Sequence, residues 1–131
     1  MTGAVLNIVQ KIDTFVSAKG AVGNNSWFNR DGIEVYIRLG YHVLQSTPYQ
    51  CLDLANVIVE KKSQGHFTQF LDQLENVAAK HGKPLYVENV LNDRLVEFFV
   101  KRGYDLAVAR GLCNTPSFYK HLGEQHVVPT R

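Results

Sequence analysis

The chain has 131 residues, 45% of them hydrophobic and 20% charged, with 14 basic and 12 acidic side chains and a net charge of +2. That length suits one domain, 1–131, around one core. The charge balance is too even to argue for nucleic acid, and no apolar run approaches the roughly 20 residues that a bilayer-spanning helix needs. The first residues lack a secretory apolar stretch, and Cys51 and Cys113 show neither metal-ligand spacing nor a pairing pattern. The expectation is a reduced, cytoplasmic protein without a membrane partner.

In chain order, residues 4–18 read as a helix, because Val5, Ile8, Val9, Ile12, Phe15 and Val16 recur at three- and four-residue steps. Gly20 and Gly23 end that pattern. Residues 24–32 read as a polar loop in which Trp27 and Phe28 are either anchors onto the core or a lid or partner contact. Residues 33–44 alternate as a strand, with Gly40 as a candidate bulge or bend. A turn at 45–48 leads to a second strand, 49–60. Its few polar positions predict a central place, covered on both faces, in an antiparallel pair with the first.

The second strand runs into Glu60-Lys61-Lys62-Ser63-Gln64-Gly65, and a helical pattern occupies 67–81. Strand, tight turn and helix together present bare backbone N–H groups and a positive helix end to an anion. The lysines at 61 and 62 add charge there, so the stretch reads as a phosphate-binding turn. His81-Gly82 ends the helix, and 85–91 is a short strand that a right-handed crossover makes parallel to the one before. Asn92 caps a further helix with Leu95, Val96, Phe98, Phe99 and Val100 as its apolar face, stopped by Gly103. Two last strands, 104–110 and 117–122, complete the pattern, joined by a turn at 111–116. The tail after Gly123 reads as loosely ordered.

Two motifs in this order resemble the GNAT superfamily of acetyl-CoA-dependent N-acetyltransferases, and among them short bacteriophage-encoded proteins. One is Lys62-Ser63-Gln64-Gly65-His66-Phe67, where the family has R/Q-x-x-G-x-G/A. The other is N-D-R-L-V-E-F-F-V-K-R-G-Y, from Asn92 to Tyr104. The resemblance covers 33–120 and implies a mixed α/β acyl-CoA N-acyltransferase fold, a central sheet flanked by helices, with the coenzyme-binding core at 33–122. It implies acetyl-CoA as co-substrate and an amine acceptor, a small molecule or a protein lysine. Lys62, Gln64, Gly65, His66 and Phe67 would line the pyrophosphate site. Val57 and Val59 would offer backbone groups to the pantetheine, and Asn92 would meet the coenzyme arm. Oligomeric state stays open, a homodimer included.

Three departures stand out. Lys62 meets a phosphate as a point charge and not as a fork. Phe67 replaces a small residue, so its ring either crowds the pyrophosphate or packs beneath it. Phe99 stands where many members carry the tyrosine that protonates the leaving thiolate, and a hydroxyl added there would be expected to reach the cleft. Glu60 and Glu88 are the candidate bases, and Tyr119 or Tyr104 the replacement acid, each with a bland alternative as a solvated carboxylate or a packed ring. His42, His81, His121 and His126 are scattered, and no metal is expected. Two functions fit this pattern. The first is acetyl transfer to an amine. The second is a GNAT-fold binding protein, of phage origin, that has lost catalysis and acts on a host protein.

Overall fold

Apolar spacing at the start of the chain produces helix α1, Gly3–Ser17, which buries Ile8, Val9, Ile12 and Val16 along one stripe. The computed structural model describes residues 3–17, 25–30, 32–60, 64–88, 90, 93–108 and 115–122. Gly20, Gly23, Cys113 and the tail after Gly123 lie outside these. Among the described residues no helix is long and apolar enough to cross a membrane.

The stretch expected as a polar loop is a strand, β1, Asn25–Arg30, antiparallel to β2, Ile33–Leu44. Its polar residues fit because an edge strand wets one face. Phe28 turns inward onto Phe15 of α1, ring centroids 6.1 Å apart, while Trp27 turns outward. β2 returns through Gln45-Ser46 into β3, Thr47–Val59. Both turn residues have positive φ, 50° and 71°, the two-residue geometry that matches strand twist.

Helix α2, Gln64–Lys80, then crosses over to β4, Leu85–Val87, which lies parallel to β3. The helix starts earlier than the apolar pattern does. It closes at Gly82, φ 66°, where the Lys83 N–H donates to the Ala78 carbonyl. Helix α3, Asp93–Lys101, ends at Gly103, φ 91°, with the Tyr104 N–H donating to the Phe99 carbonyl. The last strands are β5, Asp105–Val108, and β6, Ser117–Lys120, which pair antiparallel to each other. One six-stranded sheet results, in the order β1-β2-β3-β4-β6-β5.

All three described helices pack on one face of this sheet, around Phe70, Leu71, Leu74, Leu52, Leu54 and Phe99. Val100, expected inside, is 56% exposed; Phe99 is the inward residue of α3. The opposite face carries a smaller cluster of Leu44, Cys51, Tyr86 and Tyr119. The apolar β3 is therefore central but not covered on both faces throughout, since Ile58 is 52% exposed. Gly40 is not at a bulge. An ideal Cβ there would stand 2.5 Å from Oδ2 of the buried Asp53 carboxylate, so the glycine makes room for that group. Gly40→Ala should cost about 1–3 kcal/mol, the range for overpacking, in chemical denaturation. A cost under about 0.5 kcal/mol would mean that the carboxylate moves aside freely.

Candidate functional site

β3 and β4 pair over only three residues, Leu52↔Leu85, Asp53↔Tyr86 and Leu54↔Val87, closed by the Glu88 N–H donating to the Leu54 carbonyl. Past that point β3 has no partner on its β4 side among the described residues. The divergence coincides with a bulge. β2 passes from Tyr36↔Asn56 to Ile37↔Leu54, which leaves Ala55 as an extra residue in β3. A bulge bends a strand and re-aims the residues beyond it. Here it falls where the pairing of β3 with β4 ends.

The opening meets the head of α2. A cavity of about 680 Å³ lies between the end of β3, the head of α2 and α3, lined by Val57, Val59, Gly65, Phe67, Arg94 and Phe98 among others. The first amides of a helix have no carbonyl partner within it and carry its positive end. A Cβ built on Gly65 would meet no atom of the described residues within 4 Å. Packing therefore does not demand a glycine; its effect is to leave the backbone bare toward the cavity. Phe67 is buried, with its ring against Phe70, Phe98 and Phe99 at centroid distances of 5.7–6.4 Å. The ring is packed into the core, and the pyrophosphate end of this expectation lies partly outside the described residues.

Polar contacts fix the other wall. Arg102, just past α3, donates to Glu75 and Asp72 of α2, and the Tyr104 hydroxyl donates to Glu75 at 2.7 Å. Burial, then the Glu75 hydrogen bond, pushes the Tyr104 phenol up, and the Glu75 and Asp72 carboxylates push the Arg102 guanidinium up. Tyr104 is thus a strut between helices and a poor acid.

The expected site residues fall into three groups. Val57, Val59, Gly65 and Phe67 line the cavity. Lys62 and Asn92 lie outside the described residues, as does the side chain of Gln64, the first residue of α2. His66 is half-buried in the first turn of α2, and its Nδ1 has no hydrogen-bond partner among the described residues.

Of the candidate bases, Glu60 is exposed at the end of β3, its N–H donating to the Gly32 carbonyl at 2.8 Å. Glu88 stands where β4 leaves β3 and is paired with Arg38. Tyr119 is buried in the cluster on the helix-free face, beside Tyr86 and Cys51, and does not line the cavity. Burial pushes its phenol up.

Phe99 is 0% exposed, ringed by Phe67, Phe98, Tyr104 and Phe118. The cavity is lined by its neighbour Phe98 instead. A hydroxyl added at 99 would therefore be buried in the core and not reach the cleft, contrary to the expectation from sequence. Phe99→Tyr should lower stability by about 1–3 kcal/mol, the cost of an unpaired buried hydroxyl. An unchanged melting temperature would show that the ring does face the cleft.

A constellation on the helix-free face has no motif spacing to announce it. Asp53 is 0% exposed, and its Oδ2 accepts from Arg38 Nε at 3.2 Å and lies 2.8 Å from His42 Nε2. The His42 ring stacks on Tyr86, centroids 3.6 Å apart. Arg38 also donates to Glu88, so Asp53 reaches the β3–β4 opening through it. The signal in the sequence is an aspartate within the apolar run of β3, opposite an arginine.

No family model and no curated protein sequence matches this chain. Among solved structures it is similar to a tyrosine-to-phenylalanine mutant of the AtaT toxin, bound to the C-terminus of the antitoxin AtaR and acetyl-CoA. The TM-score is 0.52 and the identity 17%, over 68% of this chain and 57% of that one. It is also similar to the KacTA–DNA complex, with a TM-score of 0.47 and 14% identity over the same shares. The chain thus matches 57% of the length of these structures. The likeness to AtaT shows the fold: a mixed α/β acyl-CoA N-acyltransferase, or GNAT, architecture.

Proposed function

We propose that this chain is an N-acetyltransferase that moves an acetyl group from acetyl-CoA to an amine. The observation that carries the reading is the parting of β3 and β4 after Leu54↔Val87, with a cavity beyond it between the end of β3, the head of α2 and α3. The volume, the open backbone at Gly65 and the apolar walls of Val57 and Phe98 suit a diphosphate followed by a thin arm. The AtaT structure, of the same fold, holds acetyl-CoA. In this reading the amides of residues 64–67 hold the diphosphate, with His66 and Lys62 beside it, and Asn92 meets the arm.

The chemistry asks little more of the chain. The unpaired edge of β3 beyond Leu54 offers backbone N–H groups to the oxygen that becomes negative when the amine adds to the thioester carbon. Glu88 takes the proton that the amine sheds, through water, once Arg38 releases it; Glu60 is the second candidate. The C–S bond then breaks, and the thiolate takes its proton from water, since Phe99 has none to give and Tyr119 is buried elsewhere. The products are an acetamide and a free thiol. A cytoplasmic setting belongs to this reading, with Cys51 as a buried free thiol; burial, then the Asp53 charge, pushes it up to about 12, so it is no nucleophile.

One observation favours a second reading: the position of the family's acid holds a ring sealed in the core. In that reading the chain, of phage origin, keeps the fold as a binding protein for a host protein. Free-thiol release separates the two. With acetyl-CoA and a panel of primary amines and lysine peptides, an enzyme releases thiol faster with some acceptor than without. Coenzyme binding with no acceptor-dependent release across the panel would favour the binding protein.

A further inference from the structure

We propose that the helix-free face of the sheet is the acceptor site, built for an ammonium group carried on an apolar or aromatic arm. The inference rests on the acetyltransferase reading and deepens it. On the other face α2 and α3 wall in the cavity, so an acceptor meets the β3–β4 opening from the face without helices. Ile58, whose side chain belongs to that face, lines the cavity as well.

The residues that this face presents near the opening are of two kinds. Trp27 and Tyr36 pair across β1 and β2, ring centroids 4.9 Å apart, and Trp27 is 52% exposed. Ile58 stands next to them in the sheet, 52% exposed. Two exposed apolar side chains flanking a half-buried tyrosine ring mark a contact surface more often than a lone one does. Beside them stand carboxylates. Among the described residues, pairing register puts Glu34, Asp53 and Glu88 on this face against the guanidinium of Arg38, with His42 beyond Gly40. The second oxygen of Asp53 is buried and has no hydrogen-bond partner among the described residues. The excess of carboxylates over the guanidinium favours a cation. Glu88 pairs with Arg38, which stands two residues along β2 from Tyr36 on this same face, about 7 Å away at the ordinary rise of a strand. An ammonium at Glu88 would therefore put an arm of several atoms onto the Trp27–Tyr36 rings, which also attract a cation weakly.

Trp27 is the sole tryptophan of the chain, so its fluorescence reports this face alone. Titration with 4-phenylbutylamine should change it saturably, and the carboxylate of matched length, 4-phenylbutyrate, should not. In Glu88→Gln, with a wild-type melting curve confirming the fold, affinity for the amine should fall about tenfold or more, as expected for a lost hydrogen bond to a charged group. An equal response to both probes, an unchanged affinity in Glu88→Gln, or no response in wild type would each overturn the proposal. The titration needs no turnover. Acceptor-dependent thiol release without a fluorescence response would therefore sink this site and leave the transferase reading standing. Binding without turnover would do the reverse.

Discussion

Gly65→Glu should abolish acetyl-CoA binding while leaving the domain folded. The two halves of this expectation come from separate facts. A Cβ at 65 meets none of the described residues within 4 Å, and the residue lacks the left-handed φ that only glycine takes easily, so the fold has no reason to fail. The residue lines the cavity at the head of α2. A carboxylate there fills the approach to the helix amides and sets a negative charge against a diphosphate, where repulsion and lost hydrogen bonds act together. Differential scanning of wild type and variant, with and without acetyl-CoA, checks both halves. The variant should melt with the wild type when free, and only the wild type should gain stability with ligand. A variant that gains equally would place the diphosphate elsewhere.

Leu74→Ala should destabilise the domain by about 2–5 kcal/mol, the usual range for a fully buried leucine. Leu74 is 0% exposed, on the face of α2 that also buries Phe70 and Leu71 against β3. The site depends on this contact, because α2 presents the amides at one end and braces α3 through Glu75 at the middle. Denaturant unfolding measures the loss. A value below about 0.5 kcal/mol, typical of surface positions, would mean that the helix buries another face.

Where periodicity and burial agree, the fold is legible in the sequence. The β2–β3 hairpin, α2 and its Gly82 stop, and the Gly103 stop all stand where alternation, the 3.6-residue period and glycine put them. β1 is not legible, because an edge strand wet on one face can be written Asn-Ser-Trp-Phe-Asn-Arg, which reads as loop. β4 shrinks to three residues because the sheet opens there, and no local preference records that a neighbour has moved away. The bulge at Ala55 leaves no mark either, since alanine needs no special φ to sit in one.

The site divides in the same way. Gly65, Val57 and Val59 come from a turn between a strand and a helix, a local pattern. The grouping of Arg38, Asp53, His42 and Glu88 depends on which strands become neighbours, and the pairing of β2, β3 and β4 alone brings those positions together. Gly40 reads in the sequence as a backbone feature and is instead a space for a side chain from the next strand. Phe99 reads by its place in a motif, and only packing shows that it faces the core.

Isothermal titration of the wild-type chain with acetyl-CoA tests the central claim most directly. A coenzyme seated between the freed end of β3, α3 and the head of α2 predicts saturable heat at one acetyl-CoA per chain, and its loss in Gly65→Glu. No heat of binding at millimolar acetyl-CoA would contradict it.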